Sequence, residues 1–125
     1  MSYFEDLKVW QKAIELAVKV YDFSRKDPFK KGYGLRDQMR RASVSISSNI
    51  SEGDQLDSDK LAIRHFNIAK GSTAELYTQT IIARRVGYLS ENDYNFLKSE
   101  CKDILGMLTN PVLMYFSALN AKKVL

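Results

Sequence analysis

The sequence predicts an all-α fold: an antiparallel up-down four-helix bundle, in a single domain covering residues 1–125, that assembles into a ring-like homo-oligomer. Apolar residues recur every three or four positions along four long segments, which is the spacing that lines one face of an α-helix. Glycine and proline together number only eight, so long uninterrupted helices are allowed. The connections between the segments are short, and short connections make sequential helices run antiparallel.

Three breaks separate the four helical segments. The breaks cover residues 27–34, 53–58 and 87–90, and the helices are expected at about 4–26, 33–52, 58–86 and 91–121. Gly53 and Gly87 each follow a helical pattern, and both are expected in the left-handed conformation just past a helix end. Ser90, with Asp93 three residues later, predicts a cap that opens the last helix.

Each helix carries an apolar seam that is expected to face the core. The seam residues are Leu7, Trp10, Ile14, Ala17 and Tyr21; Leu35, Met39, Ala42, Ile46 and Ile50; Ala62, Phe66, Ala69, Thr73, Leu76, Thr80 and Ala83; and Tyr94, Leu97, Cys101, Ile104, Leu108, Val112, Tyr115 and Leu119. Pro111 lies inside the fourth pattern and is expected to kink or end that helix.

Further apolar residues lie outside the seams and suggest self-association, because spare apolar surface often marks an interface. They are Val9, Ala13, Leu16, Val20 and Phe23 in the first helix and Leu61, Ile68, Ile81 and Ile82 in the third. The alternative is that both stripes of a helix enter one wide core. The pattern fits a closed ring and a twofold dimer equally well.

The residues that carry most enzyme chemistry are scarce. His65 and Cys101 are the only histidine and the only cysteine, which excludes a zinc site built from these residue types within one chain. Cys101 lies in an apolar seam, where an inert thiol is expected rather than a dyad with His65. The remaining catalytic alternative is His65 acting with Glu75 or Glu52 at a subunit interface. The sequence predicts no enzyme activity and no cofactor.

Two polar clusters have structural explanations. Serines at 43, 45, 47, 48 and 51 lack a glycine loop and a nearby base, and their hydroxyl groups are expected to bond back to the preceding helical turn. Carboxylates at 52, 54, 57 and 59 offer oxygen ligands for a hard cation. The alternative is that they complement the dipole at a helix start, which is the favoured interpretation, and no metal site is predicted.

The positive charge is concentrated in one part of the chain. Residues 25–41 hold seven basic residues and two acids, which gives this stretch a net charge of +5. The whole chain has a net charge of +4, so the remaining residues sum to −1. An up-down topology places this stretch beside the third connection, and such a concentration of cations suits RNA phosphates. The expected nucleic-acid-binding residues are Lys30, Lys31, Arg36, Arg40, Arg41, Arg84 and Arg85. Phe29 and Tyr33 are interleaved and offer rings for base stacking.

Three alternatives to RNA binding remain open. In the first, the basic stretch is a solvated loop without a partner. In the second, Arg40 or Arg41 pairs with a carboxylate such as Glu75. In the third, the protein docks a protein partner such as a polymerase or a ribosome-associated factor.

No apolar run approaches the roughly 20 residues that cross a bilayer. The first residues lack the pattern of a secretory signal, and a single cysteine implies no oxidising compartment. A cytoplasmic location without membrane contact is therefore expected.

Three segments resemble one bacterial protein family, the helical-bundle proteins encoded within 23S rRNA intervening sequences. They are residues 4–13 (FEDLKVWQKA), residues 33–46 (YGLRDQMRRASVSI) followed by 48–53 (SNISEG), and residues 68–76 (IAKGSTAEL) followed by 78–79 and 87–89. The resemblance implies a four-helix bundle that forms a homopentamer. It also implies kinship with the accessory proteins of diversity-generating retroelements, which work with a reverse transcriptase and RNA.

The sequence departs from the family pattern at two places. Ser47 stands where the family usually has proline, which implies a straighter second helix. Residues 54–59 are acidic where relatives often carry arginines. RNA contact is therefore expected through residues 30–41 rather than through the connection at 54–59.

Overall fold

The structure, a computed structural model, describes residues 4–109. Within this range a 3-10 turn at Phe4–Asp6 is followed by five helices and no strand. The helices are α1 (Lys8–Ser24), α2 (Asp27–Lys31), α3 (Tyr33–Gln55), α4 (Asp59–Arg85) and α5 (Glu91–Leu108). The all-α class is confirmed. The kink at Pro111, the end of the last helix near 121 and the seam residues beyond Leu108 lie outside the described residues.

The four long helices pack as a bundle. α1 contacts α3 and α5, and α4 contacts the same two helices. Between α3 and α4, Asn49 meets His65, and one turn earlier on α3 Ser45 meets Ser72. The earlier residue on α3 therefore contacts the later residue on α4.

The predicted seams of α3, α4 and α5 face the core. All seven seam residues of α4 are buried, as are Met39, Ala42, Ile46 and Ile50 of α3 and Leu97, Cys101, Ile104 and Leu108 of α5. Leu35 and Tyr94, at the ends of their seams, are partly buried against the core. Apolar burial along these faces supplies the main stabilisation of the bundle.

The prediction for α1 is wrong, because its two apolar stripes have exchanged roles. The buried residues are those of the second stripe, namely Val9, Ala13, Leu16, Val20 and Phe23. The residues of the predicted seam, from Leu7 to Tyr21, are only half-buried. Both stripes belong to one wide apolar arc, and the packing of α1 between α3 and α5 sets which part of the arc lies deepest. The second stripe of α1 is therefore not spare surface.

The breaks differ from prediction in detail. The first break contains the short helix α2, which has Pro28 in its first turn, where the missing N–H of proline is tolerated. Gly87 has a φ of 85°, which confirms the predicted left-handed conformation. The Oγ atom of Ser90 accepts a hydrogen bond of 3.1 Å from the backbone N–H of Asp93, which confirms the predicted cap of α5.

Gly53 does not end a helix, so the prediction for this residue is wrong. α3 continues to Gln55, and Gly53 is buried within its last turn. A Cβ atom at this position would lie 2.8 Å from Cε1 of Phe66 and 3.0 Å from the carbonyl oxygen of Ala62. Glycine is therefore needed here because α3 and α4 approach closely, not because the backbone is left-handed.

The described part of the chain has no helix with both the length and the apolar character that a membrane span requires.

Candidate nucleic-acid interface

The first and third connections of the chain meet at one end of the bundle. Lys26 Nζ, just after α1, lies 3.4 Å from Oδ2 of Asp93 in the first turn of α5. The ring of Phe29 in α2 lies 5.3 Å from the ring of Tyr88 in the α4–α5 connection. This end, comprising residues 25–41 together with Arg84 and Arg85, is called the basic end below.

The two aromatic residues expected to stack on bases have different environments. Phe29 is fully buried between Phe23 and Tyr88, with ring-centroid distances of 5.8 Å and 5.3 Å. The expectation that Phe29 stacks on a base is therefore wrong, because α2 folds this ring into the core. Tyr33, at the start of α3, is 64% exposed and remains accessible.

Four of the seven predicted basic residues contact other protein groups. Lys30 pairs with Asp27 at 3.0 Å, and Arg36 pairs with Asp37 at 3.0 Å. Arg84 Nη1 donates a hydrogen bond of 2.9 Å to the carbonyl oxygen of Leu89. The fourth is Arg40, whose contacts are with α1. The two ion pairs, those of Lys30 and Arg36, are of the weak surface kind that exchanges readily with other charged partners.

The other three predicted residues are exposed cations. Lys31 ends α2, Arg41 lies on α3 and Arg85 ends α4. Within residues 4–109 none of the three makes an ion pair or a side-chain hydrogen bond. A phosphate backbone can pair with such exposed cations and displace the counterions that surround them in solution.

Arg40 is held by α1 rather than by a carboxylate. Its Nε atom donates a hydrogen bond of 2.8 Å to Oγ of Ser24, and its guanidinium lies 4.7 Å from the ring centroid of Tyr21. Glu75, the carboxylate considered from sequence, instead accepts a hydrogen bond of 3.2 Å from Gln79. Tyr21 and Ser24 were missed from the sequence, because Tyr21 repeats with the apolar pattern of α1 and nothing local connects either residue to Arg40.

Arg40 and Arg41 line a groove between α1 and α3. Its remaining lining residues are Tyr21, Asp37 and Val44, and its volume is about 420 Å³. The groove combines two cations, an aromatic ring, a carboxylate and an apolar wall. Three of its lining residues, Asp37, Arg40 and Arg41, belong to the basic end.

The polar residues of the α3–α4 contact have structural partners. The hydroxyl groups of Ser43, Ser47 and Ser51 donate to carbonyl oxygens three residues earlier, which confirms the predicted back-bonding for these three serines. The hydroxyl group of Ser45 instead lies 2.9 Å from that of Ser72. His65 is half-buried, and its Nδ1 lies 3.0 Å from Oδ1 of Asn49 and 3.4 Å from Oε2 of Glu52. These contacts place His65 within the packing of the two helices.

The sequence offered two further chemical alternatives, a reactive cysteine and a cation site. Cys101 is fully buried, and desolvation raises the pKa of its thiol to about 12, so the reactive thiolate is disfavoured. Among residues 4–109, no three acidic, histidine or cysteine side chains converge in a way that would hold a metal ion. The acidic segment from Glu52 to Asp59 therefore does not form such a cluster.

Apolar side chains remain exposed on α4. Leu61, Ile68 and Ile82 are 46%, 42% and 45% exposed, as expected for residues outside the seam. They are spaced by seven and fourteen residues, so they share one face of the helix. This apolar stripe of α4 spans about 32 Å at ~1.5 Å per residue.

The fold and the candidate site together define a small all-α bundle with a basic end and an exposed apolar stripe. The chain matches the model of the 23S rRNA-intervening sequence protein family over residues 5–110. It therefore belongs to this family, and the resemblance seen in the sequence is confirmed.

A solved structure has a similar fold. It is a protein with unknown function from the S23 ribosomal protein family of Bacteroides thetaiotaomicron, with a TM-score of 0.76 and 25% sequence identity. The alignment covers 83% of this chain and 97% of that chain. No match was found to a curated protein.

Proposed function

We propose that this protein is a non-enzymatic, antiparallel four-helix bundle that assembles into a ring-like homopentamer and binds RNA through its basic end. The observation that carries the proposal is that three exposed cations, Lys31, Arg41 and Arg85, make no ion pair or side-chain hydrogen bond within residues 4–109 and lie on elements that converge at this end. Membership of a family encoded within 23S rRNA intervening sequences adds support for RNA as the partner.

Contacts between the helices support the antiparallel arrangement. Ser45 of α3 meets Ser72 of α4. Tyr33 lies twelve residues before Ser45, and Arg84 lies twelve residues after Ser72. In an antiparallel pair both residues are about 18 Å from that contact, in the same direction. The start of α3 and the end of α4 are then expected to lie side by side, with Arg84 and Arg85 near Arg36.

The apolar stripe of α4 supports self-assembly. An aligned set of exposed apolar side chains along one helix face is costly in water and is removed when a second copy covers it. Val18 and Phe96 add exposed apolar area on α1 and α5. Because the excess lies on several sides of the bundle, each copy can contact two neighbours, as a closed ring requires. Copies that point the same way then combine their basic ends on one rim.

The charge distribution supports RNA rather than an apolar ligand at this rim. Each copy contributes a net charge of +5 from residues 25–41. Five copies bring these charges together, and the release of counterions from RNA then drives binding. The exposed ring of Tyr33 is available to stack on an unpaired base.

The proposed RNA contact is tested by a salt series with a labelled single-stranded RNA. Lys31, Arg41 and Arg85 are changed together to glutamine. Each cation that neutralises a phosphate contributes about 0.7 to the slope of log affinity against log salt for single strands, so the slope is expected to fall by about 2.

A matched control removes three exposed cations elsewhere, at Lys8, Lys60 and Lys102. This variant has the same net charge as the first and is expected to keep a slope close to that of the wild-type protein. Equal slopes for the two variants would show that only overall charge matters and would reject the basic end as the binding site.

Self-assembly is tested by light scattering and sedimentation. The wild-type protein is expected to have a mass near five times 14.3 kDa. The variant with Leu61, Ile68 and Ile82 all changed to serine is expected to dissociate, since it removes the apolar stripe of α4. A wild-type protein that sediments as a single chain would overturn the ring and the shared rim.

The same stripe favours one second candidate function, a scaffold that docks a protein partner through α4 without contacting nucleic acid. That function predicts an unchanged assembly mass in the serine variant, together with loss of a partner that resists nuclease treatment. Retention of RNA binding by the purified wild-type protein would count against it.

A further inference from the structure

The groove between α1 and α3 is an open recess that adds an aromatic ring and an apolar wall to the charged surface of the basic end. Its volume of about 420 Å³ lies within the range of small-molecule sites, roughly 300–1,000 Å³. Two helices form its walls, with Tyr21 from α1 and Asp37, Arg40, Arg41 and Val44 from α3.

Arg40 is fixed in this groove before any ligand arrives. Its Nε atom donates to Ser24 at 2.8 Å, and Ser24, which is buried, donates in turn to the carbonyl oxygen of Tyr21 at 3.3 Å. The ring of Tyr21 lies against the guanidinium at 4.7 Å. A planar cation that is already ordered loses little conformational entropy when a flat ligand stacks on it.

The other lining residues differ in which part of a ligand they attract or repel. Arg41 is exposed and unpaired within the described residues, so it is available to a phosphate. Val44 is 43% exposed and provides an apolar wall. Asp37, held by Arg36 at 3.0 Å, repels a second phosphate from its side of the groove. The groove therefore suits a ligand that has one flat ring, which stacks on Arg40, and one anionic group, which pairs with Arg41.

We infer that this groove takes one unstacked nucleotide of single-stranded RNA, with the base against the Arg40–Tyr21 pair and the phosphate on Arg41. This inference rests on the proposed RNA binding and specifies the RNA that is recognised. In a duplex the bases are stacked and paired, and only a base from a single strand, loop or end can be turned outward to stack on an arginine plane. Phosphate contacts elsewhere on the basic end accept either form.

The first experiment measures binding of AMP, adenosine and inorganic phosphate to the purified protein by calorimetry, with the ¹⁵N resonance of Arg40 Nε reporting the site. AMP combines both recognised groups and is expected to bind about tenfold more tightly than either adenosine or phosphate. AMP should also shift the Arg40 resonance. Equal affinities for AMP and phosphate, or an Arg40 resonance that does not move, would overturn the inference.

Two variants separate the two parts of the site. Arg40→Lys keeps the charge and removes the planar face, so it is expected to weaken AMP and adenosine while leaving phosphate unchanged. Arg41 is exposed and lies outside the core, so Arg41→Gln is expected to fold normally. This variant is expected to bind AMP only as tightly as adenosine. Lys102→Gln, at an exposed residue of α5 outside the basic end, is the control of equal charge and should leave AMP binding unchanged.

Oligonucleotides then distinguish failure of this inference from failure of the proposed function. The wild-type protein is expected to prefer a single-stranded RNA over a duplex of the same length by about tenfold, and Arg40→Lys should remove most of that preference. If both RNA forms bind equally and the Arg40 variant behaves as wild type, the nucleotide site is rejected while RNA binding stands. If no RNA and no AMP bind, both proposals fail.

Discussion

Replacing Gly53 by alanine tests how closely α3 and α4 approach each other. The added Cβ atom would lie 2.8 Å from Cε1 of Phe66, 3.0 Å from the carbonyl oxygen of Ala62 and 3.1 Å from Cβ of His65. Ordinary van der Waals contacts of this kind are 3.4–4 Å. Phe66 is fully buried and the oxygen of Ala62 belongs to the backbone of α4, so neither moves easily. The two helices would have to separate.

Two opposing effects set the magnitude. Alanine is favoured over glycine inside a helix by about 1 kcal/mol. Overpacking a close contact costs roughly 1–3 kcal/mol, and a contact that involves backbone lies toward the upper part of this range. Gly53→Ala is therefore expected to lower the free energy of unfolding by about 1–2 kcal/mol.

Gly71 provides the matched control. It also lies inside a long helix, α4, but no atom lies within 4 Å of the position where its Cβ would be. Gly71→Ala is expected to raise the free energy of unfolding by about 0.5–1 kcal/mol. The two variants thus differ in sign although the chemical change is identical.

Urea unfolding followed by circular dichroism measures both free energies, at several protein concentrations so that any change in assembly is visible. The expected gap between the two variants is about 2 kcal/mol, or roughly 8 °C in melting temperature for a chain of this size. A Gly53→Ala protein as stable as Gly71→Ala would refute the close approach of the helices.

Three further predictions use the same unfolding measurement. Lys12→Met is expected to cost about 1–3 kcal/mol, because it leaves the largely buried carboxylate of Glu100, 3.1 Å away, without its partner. Asp103→Asn removes a more exposed partner of Lys12 and should cost less than about 1 kcal/mol; equal losses would contradict this assignment. The pKa of the Cys101 thiol is raised from 9.0 to about 12 in the folded protein, so the unfolded chain ionises first and stability should fall as pH rises above 9. The loss at pH 10 is about 1 kcal/mol, and a Cys101→Ala protein with the same pH dependence would exclude the thiol as its source. Gly87→Ala should cost about 1 kcal/mol because φ is +85°, and an unchanged midpoint would argue against that conformation.

The faces of α3 and α4 are predictable from sequence because each carries a single dominant seam. In α4 the seam from Ala62 to Ala83 has seven residues, whereas the apolar stripe of α4 has only three, so one orientation buries more of the helix. α1 carries two apolar stripes of five residues each, and the local pattern does not rank them. Its orientation follows from the surfaces that α3 and α5 present.

The candidate site is only partly predictable for a related reason. The positive charge of residues 25–41 is a property of composition and needs no fold to be seen. The environment of each residue in the fold cannot be read from composition. Phe29, for example, lies among charged neighbours in sequence and is nevertheless buried against Tyr88. Lys31, Arg41 and Arg85 look like Lys30, Arg36, Arg40 and Arg84 in sequence, and they differ from those four in making neither an ion pair nor a side-chain hydrogen bond within the described residues.

The sequence by itself determined the all-α class, the approximate positions of the long helices, the cap at Ser90 and the basic character of residues 25–41. These features depend on residues a few positions apart, and hydrogen bonding and hydrophobic spacing act at that range. Only the tertiary structure decided which stripe of α1 is buried, why Gly53 is glycine and that Tyr21 and Ser24 hold Arg40. Those features join residues that are distant in the chain, and the packing of whole helices against one another brings them together.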